Sequence, residues 1–405
     1  MEKWKINFTL QDSPIQFRYE AEGKPVWDGV YNDGMLQISM LFTVDPRPLI
    51  LTAPAKVGDE ILFTYRPYRL ELFVNGILMD EEWPWGENYL KSAVETVANV
   101  AVSPSELTEP PELPSFCGGF ENAQGWRPGN GVFVGDCMPY VHEDRFHVLY
   151  LWDRRHHTSK WNRGAHQWAH ISTADFKHWD IHPMAVELDD PGEGAICTGS
   201  HIFHNGQHWL YYTVRQSDLS ARPVLRSISE DGYHYRKDKN FCRFLSSRYR
   251  GLTDRDPQVV LGDDGLLHMF VTTTDLTIPH GCLAHLTSPD GVNWTEQPEN
   301  LINWQRPIPN APNVEPECPY YCKMGDYNYL VHDGMYAYSR KPYSDWVHPK
   351  NSRIPCGSVP KGAFWQGRLI FVGFEGNGKY AGTMTFLEAT QNPDGTLCFH
   401  PLKTD

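Results

Sequence analysis

Over residues 1–100 apolar positions alternate with polar ones or run together, as in LQISMLFTV (36–44), EILFTY (60–65) and YRLELFVNGILMDEEW (68–83). A period of two with β-branched and aromatic residues predicts strands half-buried on a sheet. Asn75-Gly76 separates two such runs and is the dipeptide of a tight hairpin. No strong helical period interrupts them, so the segment reads as a β-sandwich. Residues 101–120 change character: AVSPSELTEPPELPS holds four prolines. Proline donates no ladder hydrogen bond and favours extended backbone, which predicts a linker.

From residue 121 to 405 short apolar runs follow in series, among them FHVLYLW (146–152), HIFHNGQHWLYYTV (201–214), LLHMFVTTT (266–274) and RLIFVGFE (368–375). Turn signals separate them: Asn205-Gly206, Asp264-Gly265, Asp290-Gly291 and Asp394-Gly395. An aromatic residue after a small polar turn recurs at Trp179, Tyr235, Trp294 and Trp346, with gaps of 56, 59 and 52 residues. A period of this size in an all-β stretch predicts propeller blades of four strands, and residues 121–405 have room for five. The expected fold is all-β: a β-sandwich, whose segment LFVNGILMDEEWP resembles the concanavalin-like sandwiches, followed by a five-bladed β-propeller.

Composition narrows the partners. With 50 Asp and Glu against 36 Lys and Arg the formal net charge is −14. That balance argues against nucleic acid and anionic membrane surfaces. No run approaches the roughly 20 apolar residues of a membrane span. Nine cysteines lie scattered, and MEKWKINFTLQ has no apolar leader core. Free thiols in a reducing cytoplasm are the expectation. No CxxC or HExxH occurs, so neither a metal nor another cofactor is expected. Aromatic residues reach 13 %. Such rings serve wide sheets and sugar platforms alike, so a small oligosaccharide is a fitting partner. Self-association through the sandwich is a further expectation.

A propeller brings its inner strands to one central funnel, and acids working there would head those strands. Three carboxylates fit: Asp136 in VGDCMPY, Asp256 in TDRDPQVVL and Glu317 in NVEPECPYY. Each precedes Pro within a few residues and then an apolar strand. One such acid is an ordinary turn residue; recurrence at near-blade multiples favours a shared site. Glu315, two residues before Glu317, is the competing acid.

The series VGDCMPY, GAHQWAHISTADFKHWDIHPMAV, CTGSHIF, RDPQVV and PECPYY resembles glycoside hydrolase family 32, five-bladed propellers that cleave β-fructofuranosides. The likeness covers roughly residues 130–400 and leaves out the N-terminal segment. It implies retaining hydrolysis with Asp136 as nucleophile, Glu317 as general acid/base and Asp256 as the acid that holds sugar hydroxyls. Retention needs two carboxyl groups about 5–5.5 Å apart, one ionised and one carrying a proton. Arg255 is expected to favour the charged form of Asp256. Pro319, Tyr320 and Tyr321 are expected to enclose Glu317 and favour its protonated form. The resemblance also implies substrate contacts from Trp161 as a platform, Thr198 and His166, with Cys318 beside the acid. The chain departs from the family where Gly135 replaces Asn, where Cys137-Met138-Pro139 replaces Pro-Asn-Gly, and where Leu151 replaces a sugar-binding Gln. Asp153, with Arg154 and Arg155 behind it, would supply substitute contacts or form a solvated loop. Two other readings stay open: an inverting propeller glycosidase acting on arabinose or xylose, and a carbohydrate-binding propeller without catalysis.

Overall fold

The computed structural model describes residues 3–43, 45–66, 69–84, 94–98, 102, 104–108, 119–156, 166–190, 193–216, 220–278, 280–304 and 315–404. The described residues are strands, turns and loops.

Two five-stranded antiparallel sheets form the N-terminal part. The first joins Trp4–Thr9, Glu60–Arg66, Arg69–Val74 and Ile77–Glu82, with Ser105–Glu106 pairing at its edge. The second joins Ile15–Ala21, Lys24–Asn32, Met35–Phe42, Asp45–Pro54 and Val94–Ala98. Leu36, Ile38, Met40 and Phe42 are buried, while the residues between them are more open. That alternation places one face of the strand on a core built around Trp4, Phe17, Trp27 and Phe63. Asn75 and Gly76 both take positive φ, as the tight hairpin requires.

The later strands group into five blades. Their inner strands are Phe133–His142, Glu193–His204, Arg255–Leu261, Tyr320–Met324 and Ser358–Trp365. Three strands of the fourth blade are described; the other blades have four or more. The ring closes between first and last blades. Val134 pairs with Gly382, and the N–H groups of Gly125 and Met384 donate to Met384 O and Trp126 O at 2.7 and 2.8 Å.

The aromatic period has a local cause in the first three blades. At the third-to-fourth strand turn, Thr173, Ser229 or Ser288 hydrogen-bonds Asp175, Asp231 or Asp290. Each aspartate accepts backbone N–H bonds from the residues two and three positions on. It also binds the side chain three positions on, His178, His234 or Asn293, at 2.7–2.8 Å. Phe176, Gly232 and Gly291 supply the positive φ that turns the chain. Trp179 is the second residue of the fourth strand, Tyr235 and Trp294 stand just before theirs, and Trp179 and Trp294 are buried. Trp346 belongs to another turn, with positive φ at Tyr343 and Asp345, and packs edge-on to Tyr321.

Candidate active site

Four of the five inner strands slip register at one level. The shifts fall between Val134 and Cys137, Ile196 and Gly199, Arg255 and Gln258, and Ser358 and Lys361. A bulge adds a residue to one strand and re-aims its side chain. The residues so re-aimed include Asp136, Thr198, Asp256 and Val359, and all four line one cavity of about 470 Å³. Asp256, Cys318 and Val359 also hold positive φ, a strained backbone for residues with a Cβ.

Asp136 is 6 % exposed and carries donors on both oxygens. Tyr380 Oη donates to Oδ1 at 2.8 Å, and the Thr198 hydroxyl donates to Oδ2. Cys318 Sγ lies 3.5 Å from Asp136 Oδ2 and equally far from Asp256 Oδ2, while Cys318 N–H donates to Asp256 Oδ2 at 3.2 Å. Burial, then the two carboxylates, push the Cys318 thiol well up, so it stays a proton-bearing donor. Burial likewise pushes Tyr380 up, and Asp136 adds to the effect.

Asp256 meets Arg255 less closely than expected, with Nε 3.5 Å from Oδ2. Arg255 favours the charged form of Asp256, as expected, but burial outweighs that attraction and raises the carboxyl to about 6. Arg255 spends its other nitrogens on Glu315 and on Glu317, the latter at 2.6 Å. Glu317 lines the cavity, but its side chain is 55 % exposed. The expected apolar enclosure is absent, because Tyr320 and Tyr321 turn into the cores of neighbouring blades. Glu315 is the buried acid of the pair. Thr274 and Arg255 hold it, and it does not line the cavity.

His166 lines the cavity, stacks on Tyr380 with ring centroids 5.4 Å apart, and bonds Asp153 through Nε2 at 2.6 Å. Asp153 itself is 1 % exposed and lies behind His166, so it orients that ring instead of facing a sugar. Arg154 and Arg155 are neither substrate contacts nor a solvated loop. Arg154 Nε donates to Glu81 at 3.1 Å, and Arg155 Nε donates to Glu82 at 3.1 Å, both across to the N-terminal sheet. Trp161 lies outside the described residues.

Sequence reasoning missed Tyr380 and Lys361. Tyr380 comes from the fifth blade and explains Gly135: a Cβ there would stand 2.6 Å from the tyrosine hydroxyl. Cys137 turns away into the core between the first and last blades. Lys361 is 2 % exposed, and its Nζ donates to Gly199 O at 3.0 Å. Burial lowers its hold on a proton, while Cys318, Asp256 and Asp136 pull the other way. A buried lysine thus lies close enough to the acids for their charges to act on it. A lysine after Val-Pro in an apolar strand gives no local sign of that.

Fold and site together define a five-bladed propeller with carboxylates converging in its funnel. The model of the glycosyl hydrolases family 32 N-terminal domain matches residues 137–349, more than half of the chain, and the chain belongs to this family. A sucrose-6-phosphate hydrolase of Escherichia coli is 28 % identical over 102 residues, covering 23 % of this chain and 20 % of that protein. Among solved structures, sucrose-6-phosphate hydrolase from Lactobacillus gasseri superposes with a TM-score of 0.54 at 17 % identity, over 66 % of this chain and 61 % of that one. Fructan 1-exohydrolase IIa from Cichorium intybus gives 0.55 at 15 %, over 70 % and 61 %. A thermostable family-43 glycoside hydrolase gives 0.53 at 14 %, over 71 % and 97 %. The match thus spans about a fifth of the curated relative and three fifths of the first two solved chains.

Proposed function

We propose that the chain hydrolyses a β-fructofuranoside in a small oligosaccharide, with retention. The observation that carries this reading is the convergence of Asp136, Asp256 and Glu317, from three different blades, on one cavity. Asp136 is the nucleophile: its carboxylate attacks the anomeric carbon as the glycosidic bond breaks. Thr198 and Tyr380 fix its two oxygens beforehand, which reduces the reorganisation needed in the transition state. Glu317 faces the open side and gives its proton to the leaving oxygen. It then takes a proton from the water that cleaves the glycosyl ester, which returns Asp136 as a carboxylate. Asp256, its carboxyl raised to about 6 by burial, is mostly ionised at neutrality and accepts from the sugar hydroxyls. Leu151, Ile196, Val359 and Phe374 give the cavity apolar walls that suit a ring face. The eight described cysteines are unpaired, which suits action in a reducing cytoplasm.

The test is Asp136→Asn with sucrose and short fructo-oligosaccharides as substrates. Turnover should fall at least ~1,000-fold with the melting temperature preserved. Product configuration, followed by NMR, should show the β-anomer first in the wild type. Undiminished turnover in the variant removes Asp136 as nucleophile, and an α-anomer released first removes the retaining course.

A further inference from the structure

The wall of this cavity carries two guanidinium groups that its carboxylates do not use. Arg215 lies near the end of strand Gln207–Gln216, paired across to Ala195. Arg222 follows the next turn, with its backbone N–H on Gly251 O at 3.1 Å. Both line the cavity. Among the described residues neither side chain has a hydrogen bond or an ion pair, and each Nε is buried without an acceptor. Their neighbours are treated differently: Arg226 is paired with Asp238, Arg248 with Asp275, and Arg255 with Glu315 and Glu317. Nor is acid scarce in a chain of net charge −14.

The two groups also oppose each other. Burial makes Arg222 harder to keep charged; Cys197 on the cavity wall pulls the other way, Arg215 and Arg255 add repulsion, and Asp256 attracts it through space without contact. Two partly desolvated like charges facing an open cavity are unfavourable in the empty protein. An oxyanion between them removes the repulsion and offers acceptors to guanidinium N–H groups that lack one. The planar fork of arginine matches phosphate and carboxylate, each of which offers two oxygens to one guanidinium.

We propose that Arg215 and Arg222 form an oxyanion subsite, so that the furanoside accepted here carries a phosphate ester or a carboxylate. This rests on reading the cavity as the glycosidase site and specifies its substrate class. The subsite lies on the wall of the second blade and the loop tied to the third. The nucleophile is held instead from the first, second and fifth blades.

Calorimetry separates this proposal from the hydrolysis it builds on, because it needs no turnover. Glucose 6-phosphate, fructose 6-phosphate, glucuronate and glucose are titrated into the wild type at low salt. At least one anionic sugar should bind about tenfold or more tighter than glucose, as charge-assisted bonds from two arginines imply. The phosphate and uronate arms tell which oxyanion is read. Arg215→Gln combined with Arg222→Gln should bring the anionic-to-neutral ratio near one. Arg222→Lys, which keeps charge but loses the fork, should retain part of the preference and guards against a folding artefact. In turnover, kcat/KM for sucrose 6-phosphate should exceed that for sucrose about tenfold, mainly through KM. Equal binding of anionic and neutral sugars by the wild type, or a ratio that survives the double substitution, overturns the subsite. Efficient sucrose cleavage with no phosphate preference overturns it while leaving the hydrolase reading intact. Absence of any furanoside turnover, with anion binding lost in the double variant, does the reverse.

Discussion

Replacing Glu81 by Gln tests whether the N-terminal sandwich is a structural brace for the site. Glu81 is 1 % exposed and stands at the junction. It accepts from Arg69 at 2.7 Å within its own sheet, and from Trp152 Nε1 at 3.0 Å and Arg154 at 3.1 Å on the first blade. Burial opposes its charge, but Arg69 and Arg154 with the N–H donors overcome that and hold the carboxyl at about 2. The interval from the ordinary 4.5, at 1.36 kcal/mol per pH unit, is about 3 kcal/mol. Breaking one member of a buried ion network costs about 3–5 kcal/mol by mutational experience, which agrees. A depressed carboxyl contributes its stability above the unfolded value and loses it as pH falls from about 4.5 towards 2. The deficit of Glu81→Gln should therefore be the same at pH 8 and pH 6. Urea unfolding followed by tryptophan fluorescence reads it, with Trp152 reporting from inside the network. The variant should also raise KM, because Asp153, which holds His166 in the cavity, adjoins Arg154. A loss below about 1 kcal/mol, or a deficit that changes between pH 8 and 6, refutes the brace.

Three further outcomes follow from the geometry. Asp256→Asn should stabilise the fold by about 1–3 kcal/mol at pH 8 while reducing turnover. A carboxyl raised to about 6 by burial costs stability once ionised, so denaturation midpoints of variant and wild type should converge as pH falls to 4. Gly135→Ala should cut kcat at least ~10-fold by driving the Tyr380 hydroxyl off Asp136, and Tyr380→Phe should reproduce the loss of that charge-assisted bond. Acid should unfold the propeller early. His147 and His170 share a 2.9 Å contact, as do His201 and His208. Burial and neighbouring histidines lower His147 to about 3 and His208 to about 4. Each contributes stability above 6.5 that is lost below it at about 1.36 kcal/mol per pH unit. Melting temperatures between pH 7.5 and 5 should fall steeply, and His147→Phe should flatten the slope.

Strands, turns and blade period were legible because their causes are local. Alternation sets which face is buried. The Ser/Thr-x-Asp turn before each aromatic is complete within seven residues, so Trp179, Tyr235 and Trp294 announce their blades in one dimension. The three acids were legible as candidates because each lies near the start of an apolar strand with a proline within three residues. Their surroundings were not. Tyr380 reaches Asp136 across 244 residues, and Cys318 reaches it across 182. Arg154 and Arg155 looked like loop charges until the sandwich laid Glu81 and Glu82 against them. Glu317 lost its expected apolar cover because Tyr320 and Tyr321 fill blade cores on either side of their strand. The bulges that aim Asp136, Thr198 and Asp256 inward depend on pairing with neighbouring strands, which composition does not encode. Local chemistry thus determined the elements and the candidate acids. Burial, partner and direction were decided by ring closure, which brings charges from distant blades to one axis, where water no longer screens them.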